Sequence, residues 1–172
     1  MMAAIVATAC TGDPFVLVAP EPAASDAPLT TSAPPLIPAP SLCGEALSDA
    51  LTAASSGMLW PSETDAPLLP LLVPGADPAD WGFLRELVGT DPSTPVMRHD
   101  LGELDALGLE HSWMTVEERA EAARFRALAA ILRENLENPA IYRVGQENAH
   151  LLLVGRSRCS ELAGLVTFVV ET

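Results

Sequence analysis

A chain of 172 residues with 23 acidic and nine basic side chains has a formal net charge of −14, and its length suits one domain plus an appendage with a core of its own. The acidity is regional: residues 61–110 hold ten acids against Arg85 and Arg98, whereas residues 115–136 balance four acids with four arginines. An acidic face of this kind repels nucleic acid and attracts basic proteins, including those whose clefts hold nucleic acid, so direct nucleic-acid binding is not expected. No run reaches the roughly 18 apolar residues a membrane helix needs, so no membrane span is expected.

Residues 1–43 contain eight of the sixteen prolines, no basic residue and the low-complexity run APLTTSAPPLIPAPS. This composition reads as a linker or disordered segment that folding and binding can do without. The opening MMAAIVATAC ends in a small residue before Cys10 but has no basic n-region, so export or lipid attachment is the minor reading beside a cytoplasmic location. Cys10, Cys43 and Cys159 make an odd count without metal-ligand spacing. No disulfide is expected from them, a reducing compartment fits better, and Cys159 reads as a structural thiol.

From Gly44 the texture changes, and residues 44–172 read as the folded domain. In EALSDALTAASSG, Ala46, Leu47, Ala50, Leu51 and Ala54 recur at helical spacing and stop at Gly57, which predicts a first helix. Leu68 to Val73 predicts a short strand interrupted by Pro70. Trp81 to Val88, Thr94 to Arg98 and Asp100 to Leu109 predict a short helix, a short strand and a second helical piece. Thr115-Val-Glu-Glu118 is a capping box opening a long helix striped by Phe125, Leu128, Leu132 and Leu136, which Asn138-Pro139 is expected to end. AIYRV, HLLLVG and AGLVTFVV then predict three strands. Helices on both sides of a short sheet make an α/β fold, a three-layer α/β/α sandwich.

The fingerprints of nucleotide binding, esterases, metalloproteases and EF-hands are all missing. His99, His111 and His150 are isolated, and His99-Asp100 on an extended segment point opposite ways, which argues against a base and its orienter. No cofactor, no metal site of the chain's own and no catalytic residue is expected. The stretch that asks for a purpose is GMLWPSETDAP, where Trp60-Pro61 and Ala66-Pro67 bracket Ser62, Glu63, Thr64 and Asp65. Proline fixes its own φ and restricts the preceding residue, so the acids are held up on a stiffened loop. The plainest reading is a solvated turn capped by Ser62. A catalytic dyad of Glu63 and Asp65 lacks a nucleophile, a metal ligand or an oxyanion donor to work with.

Taken in order, SSGMLWPSETDAP, NLENPAIYRVG and ELAGLVTFVVET resemble the nuclease A inhibitor family: an apolar anchor with a Ser-Glu-x-acid-x-Pro loop, Asn-Leu-x-Asn-Pro, Tyr-Arg-x-Gly, Leu-Ala-Gly and a closing Val-Val-Glu-Thr. The likeness covers most of residues 45–73 and 111–172. It implies a PR-1-like sandwich that acts as a bacterial protein inhibitor, a monomer when free, and plugs the active site of a non-specific, magnesium-dependent DNA and RNA nuclease. By position, Glu63 is the loop carboxylate that reaches the nuclease's magnesium through water, with Ser62, Thr64 and Asp65 around it. Trp113 corresponds to the family's aromatic contact, Thr172 to its C-terminal contact, and His111 stands where an amide is usual. Each residue also has a plainer reading: Trp113 as a cover for the core, Thr172 as a frayed end. The alternative function is that of a diverged sandwich domain binding another basic protein or a small ligand without catalysis.

Overall fold

The computed structural model describes residues 41–171; the expectations for residues 1–40, Cys10 among them, and for Thr172 lie outside the described residues. Helix α1 (Gly44–Ser55) is followed by a two-residue strand β1 (Leu59–Trp60), the acidic loop, β2 (Ala66–Pro67) and β3 (Leu69–Pro74). Then come α2 (Trp81–Leu87), β4 (Val96–His99), α3 (Gly102–Leu107), α4 (Val116–Asn135), β5 (Leu136–Gly145), β6 (Asn148–Ser157) and β7 (Glu161–Val170). Strands β3-β7-β6-β5-β4 form one five-stranded sheet in that order, antiparallel throughout, and β1 and β2 pair separately. The result is a mixed α/β domain. No described helix is long and apolar enough to cross a membrane.

The period-2 strands carry apolar side chains on both faces, and each face has its own core. Leu47 and Leu51 of α1, Leu104 of α3 and Phe125, Leu128 and Leu132 of α4 pack with Ile141, Leu151, Leu153 and Leu165. On the alternate positions, Tyr142, Val144, Leu152, Val154 and Leu162 pack with Leu84 of α2. The interrupted strand survives because β3 is an edge, where Pro70 and Pro74 need not donate to a second neighbour. Gly164 of the Leu-Ala-Gly stretch has φ +149°, and a Cβ there would sit 2.0 Å from the Leu153 carbonyl oxygen. Only glycine allows β6 and β7 to meet at this point.

The capping box is present as the sequence predicts: Thr115 accepts from the Glu118 amide while Glu118 Oε2 accepts from the Thr115 amide. The helix, however, ends three residues earlier than Asn138-Pro139. Asn135 is its last residue and Leu136 already belongs to β5, because the buried Asn135 side chain spans two backbones, donating to Ile131 O at 2.9 Å and accepting from Leu42 N at 2.8 Å. Asn138 instead takes a left-handed φ of 48° inside a bulge of β5, between Glu137 and Ala140.

The cysteine expectation is overturned. Cys43 and Cys159 form a disulfide across 116 residues of sequence. An odd count concealed the pair, and folding brings the start of α1 against the β6–β7 turn. The same junction is hydrogen-bonded: Glu161 Oε2 accepts from Gly44 N at 3.0 Å and from Ser157 Oγ at 2.9 Å. Leu42 packs on the core beside it, so the ordered domain begins before Gly44.

Candidate functional site

The acidic loop is the tip of a short hairpin. Leu59 pairs with Pro67 and Trp60 with Ala66, while Met58 and Trp60 are buried, each side chain anchoring the hairpin with about 1.5–3 kcal/mol of burial. At the tip, Asp65 Oδ1 accepts from Ser62 N at 3.3 Å, and Ser62 Oγ donates to Thr64 O at 2.8 Å and accepts from Thr64 N at 3.3 Å. The plain reading of a turn capped by Ser62 therefore holds, and the capping is what gives the acids a fixed geometry. Asp65 is at once a turn-former and an exposed carboxylate, and Glu63 and Thr64 are exposed with it.

Two further bonds brace this tip against the last sheet strand. Glu63 N donates to Val170 O at 3.2 Å, and Thr167 Oγ1 donates to Ala66 O at 3.3 Å. The loop and the chain's C-terminal strand are thus one assembly, and Val170 stands two residues before Thr172. The end of that strand is clamped in turn. Arg143, with a side chain only 15% exposed, reaches Glu171 Oε2 at 2.8 Å and also donates to the Gln146 carbonyl, while Glu171 N donates to Glu147 O at 2.8 Å. Reading the sequence missed the role of Arg143. The only signal was its place in the Tyr-Arg-x-Gly stretch, which reveals nothing of a partner 28 residues on.

Across from the loop, residues 111–114 turn tightly into α4, with Met114 N donating to His111 O at 3.1 Å. His111 and Trp113 stack at 5.2 Å with 5° between their rings, and Trp113 is 71% exposed. That exposure removes its plainer reading as a cover for the core. Asp65 and Trp113 line one groove of about 330 Å³ together with the apolar Leu59, Leu107, Met114 and Phe125 and the acidic Glu118 and Glu121. The structure therefore joins Ser62, Glu63, Thr64 and Asp65 in one turn, brings Asp65 and Trp113 to the lining of one groove, and stacks His111 on Trp113.

The remaining histidines, His99 and His150, have separate surroundings. His99 Nδ1 lies 3.9 Å from Glu103, while Asp100 Oδ1 accepts from Gly102 N at the start of α3. His150 packs edge-on against Phe168, and burial pushes its pKa down. No group of three or more His, Cys, Asp or Glu side chains able to hold a metal occurs among the described residues.

No curated protein matches the chain. A family model described as nuclease A inhibitor-like protein matches residues 45–172, from α1 onwards and including the stretch between the motifs at residues 74–110. By that match the chain belongs to the nuclease A inhibitor-like family.

Proposed function

We infer that the protein is a non-enzymatic inhibitor of a non-specific, magnesium-dependent DNA and RNA nuclease. The observation that carries this reading is the braced hairpin tip: an exposed Glu63 on a turn closed by β1 and β2 and tied through its own amide to Val170. In the nuclease cleft, Glu63 occupies the place of a scissile phosphate. It offers the partner's magnesium a hard oxygen ligand through water, but no bond to break. A finger already shaped by its own hydrogen bonds loses little conformational entropy on docking. Ser62, Thr64 and Asp65 frame it, and His111, Trp113 and Thr172 extend the contact on either side.

The acidic face is complementary to a basic nucleic-acid cleft, so the partner is a protein and not a nucleic acid or a membrane. The two cores on opposite faces of the sheet support classing the fold as a three-layer α/β/α sandwich of PR-1-like type, monomeric when free. The disulfide favours the exported location over the cytoplasmic one, since such bonds persist in oxidising compartments.

A magnesium-dependent non-specific nuclease titrated with wild type, Glu63→Gln and Asp65→Asn tests this, beside thermal melts of each inhibitor. Glu63→Gln is expected to leave stability within about 0.5 kcal/mol and to weaken inhibition by about 2–5 kcal/mol, as when one partner of a buried charged pair is neutralised. Asp65→Asn is expected chiefly to slow association and flatten its salt dependence. Equal inhibition by wild type and Glu63→Gln would remove the metal-directed finger from the reading.

A further inference from the structure

The groove beside the hairpin has a composition that neither a core nor a solvated face requires. Its floor is apolar, with Leu59, Met114 and Phe125 among its residues, and the exposed indole of Trp113 forms a wall. Its charged lining residues are all acidic: Asp65, Glu118 and Glu121. Glu118 is committed to the Thr115 amide in the capping box, whereas Glu121 has no ion-pair partner among the described residues. The nearby arginines of α4 are engaged elsewhere. Arg119 donates to the Thr115 carbonyl at 3.3 Å, Arg124 donates to the Ser56 carbonyl, Arg126 grips Gly108 O and Glu110 at 2.6 Å each, and Arg133 pairs with Asp105. No arginine of the described chain lines the groove.

We propose that this groove is a subsite for one cationic side chain, an arginine or lysine presented by the partner protein. The aliphatic stem lies on the apolar floor, as long basic side chains do when their stems are buried and their heads kept polar. The charged head meets Asp65 and Glu121, with the face of Trp113 adding a cation–π contact. An uncharged side chain would desolvate the two carboxylates without compensation, so the groove selects for charge as well as for shape. The subsite deepens the inhibitor reading, resting on it only for which protein presents the cation. It makes Asp65 and Glu121 a second recognition element, independent of Glu63 and of the partner's metal.

The test uses the full chain, ¹⁵N-labelled, titrated with acetyl-arginine amide, acetyl-citrulline amide and acetyl-norleucine amide while the Trp113 indole signal is followed. The arginine compound is expected to shift that signal and those of the groove residues, and to bind about fivefold more tightly than citrulline, a margin suited to a partly exposed charge pair. Asp65→Asn combined with Glu121→Gln should erase this margin while the rest of the spectrum stays that of the folded chain. Equal binding of arginine and citrulline, preference for norleucine, or no shift with any of the three would each overturn the proposal. A nuclease titration that failed would leave this result untouched, and the converse also holds, so the two readings fall separately.

Discussion

Arg143 lies outside the acidic loop and yet holds the end of the strand on which that loop leans. Its mostly buried side chain holds Glu171 at 2.8 Å and a carbonyl of the β5–β6 turn. The amide of Glu171 bonds to that same turn. Through β7, whose Val170 carbonyl receives the Glu63 amide, the clamp sets where the acidic loop can stand. Arg143→Met keeps the stem and removes the charge. The expected loss of stability is about 1 kcal/mol, because the Glu171 end of the pair is solvent-exposed. Inhibition is expected to fall by more than that loss explains, through a loosened C-terminus. A melt beside a nuclease titration separates the two effects, and inhibition unchanged at full occupancy would deny Arg143 its positioning role.

At the scale of elements, the N-terminus of α4 does two jobs. Its capping box satisfies orphan amides, and it fixes the direction in which residues 111–114 present His111 and Trp113. Thr115→Ala is expected to cost about 1 kcal/mol in denaturant unfolding at neutral pH. Hydrogen bonds from the Thr115 amide and hydroxyl group hold the Glu118 carboxyl below its ordinary value of 4.5. A carboxyl depressed on folding contributes fully above its unfolded pKa and loses that contribution as pH falls through the folded one. The gap between wild type and Thr115→Ala should therefore be constant from neutral pH down to about 4.5, the ordinary carboxylate value, and narrow below it. A gap that widened on acidification would show that Glu118 does not stabilise the cap as a carboxylate.

Over the whole molecule, one covalent link ties the start of the domain to the turn before its last strand. Cys43 and Cys159 close a loop of 116 residues, and breaking such a link typically costs about 2–4 kcal/mol, chiefly by freeing the unfolded chain. Cys43→Ser, or reduction of the wild type, is expected to lower the thermal midpoint accordingly. Deletion of residues 1–40 should leave both the midpoint and inhibition nearly unchanged. Deletion through residue 43 should match Cys43→Ser or exceed it, since it also removes Leu42 and its bond to Asn135. The expectation that all of residues 1–43 can be spared thus narrows to the first 40. Equal midpoints for wild type and Cys43→Ser would place the loop-closing contribution near zero.

What the sequence determined by itself was whatever is encoded within about ten neighbouring residues. Thr115 and Glu118 announced their helix, short apolar runs announced β5, β6 and β7, and two prolines announced a stiffened loop around Glu63, because propensity, capping and turn chemistry act locally. The motifs also led to the family before any fold was known. Local rules failed at Asn135, where a buried side chain ended α4 ahead of the Asn138-Pro139 signal, and at the cysteines, where a pair hid inside an odd number. Only the tertiary structure decided that the Glu63 loop leans on Val170, that Asp65 and Trp113 line one groove, that Arg143 closes on Glu171 and that Cys43 reaches Cys159. Each of these joins segments distant in sequence, and such contacts form only when burial of the two cores has offset the entropy of closing the loops between them.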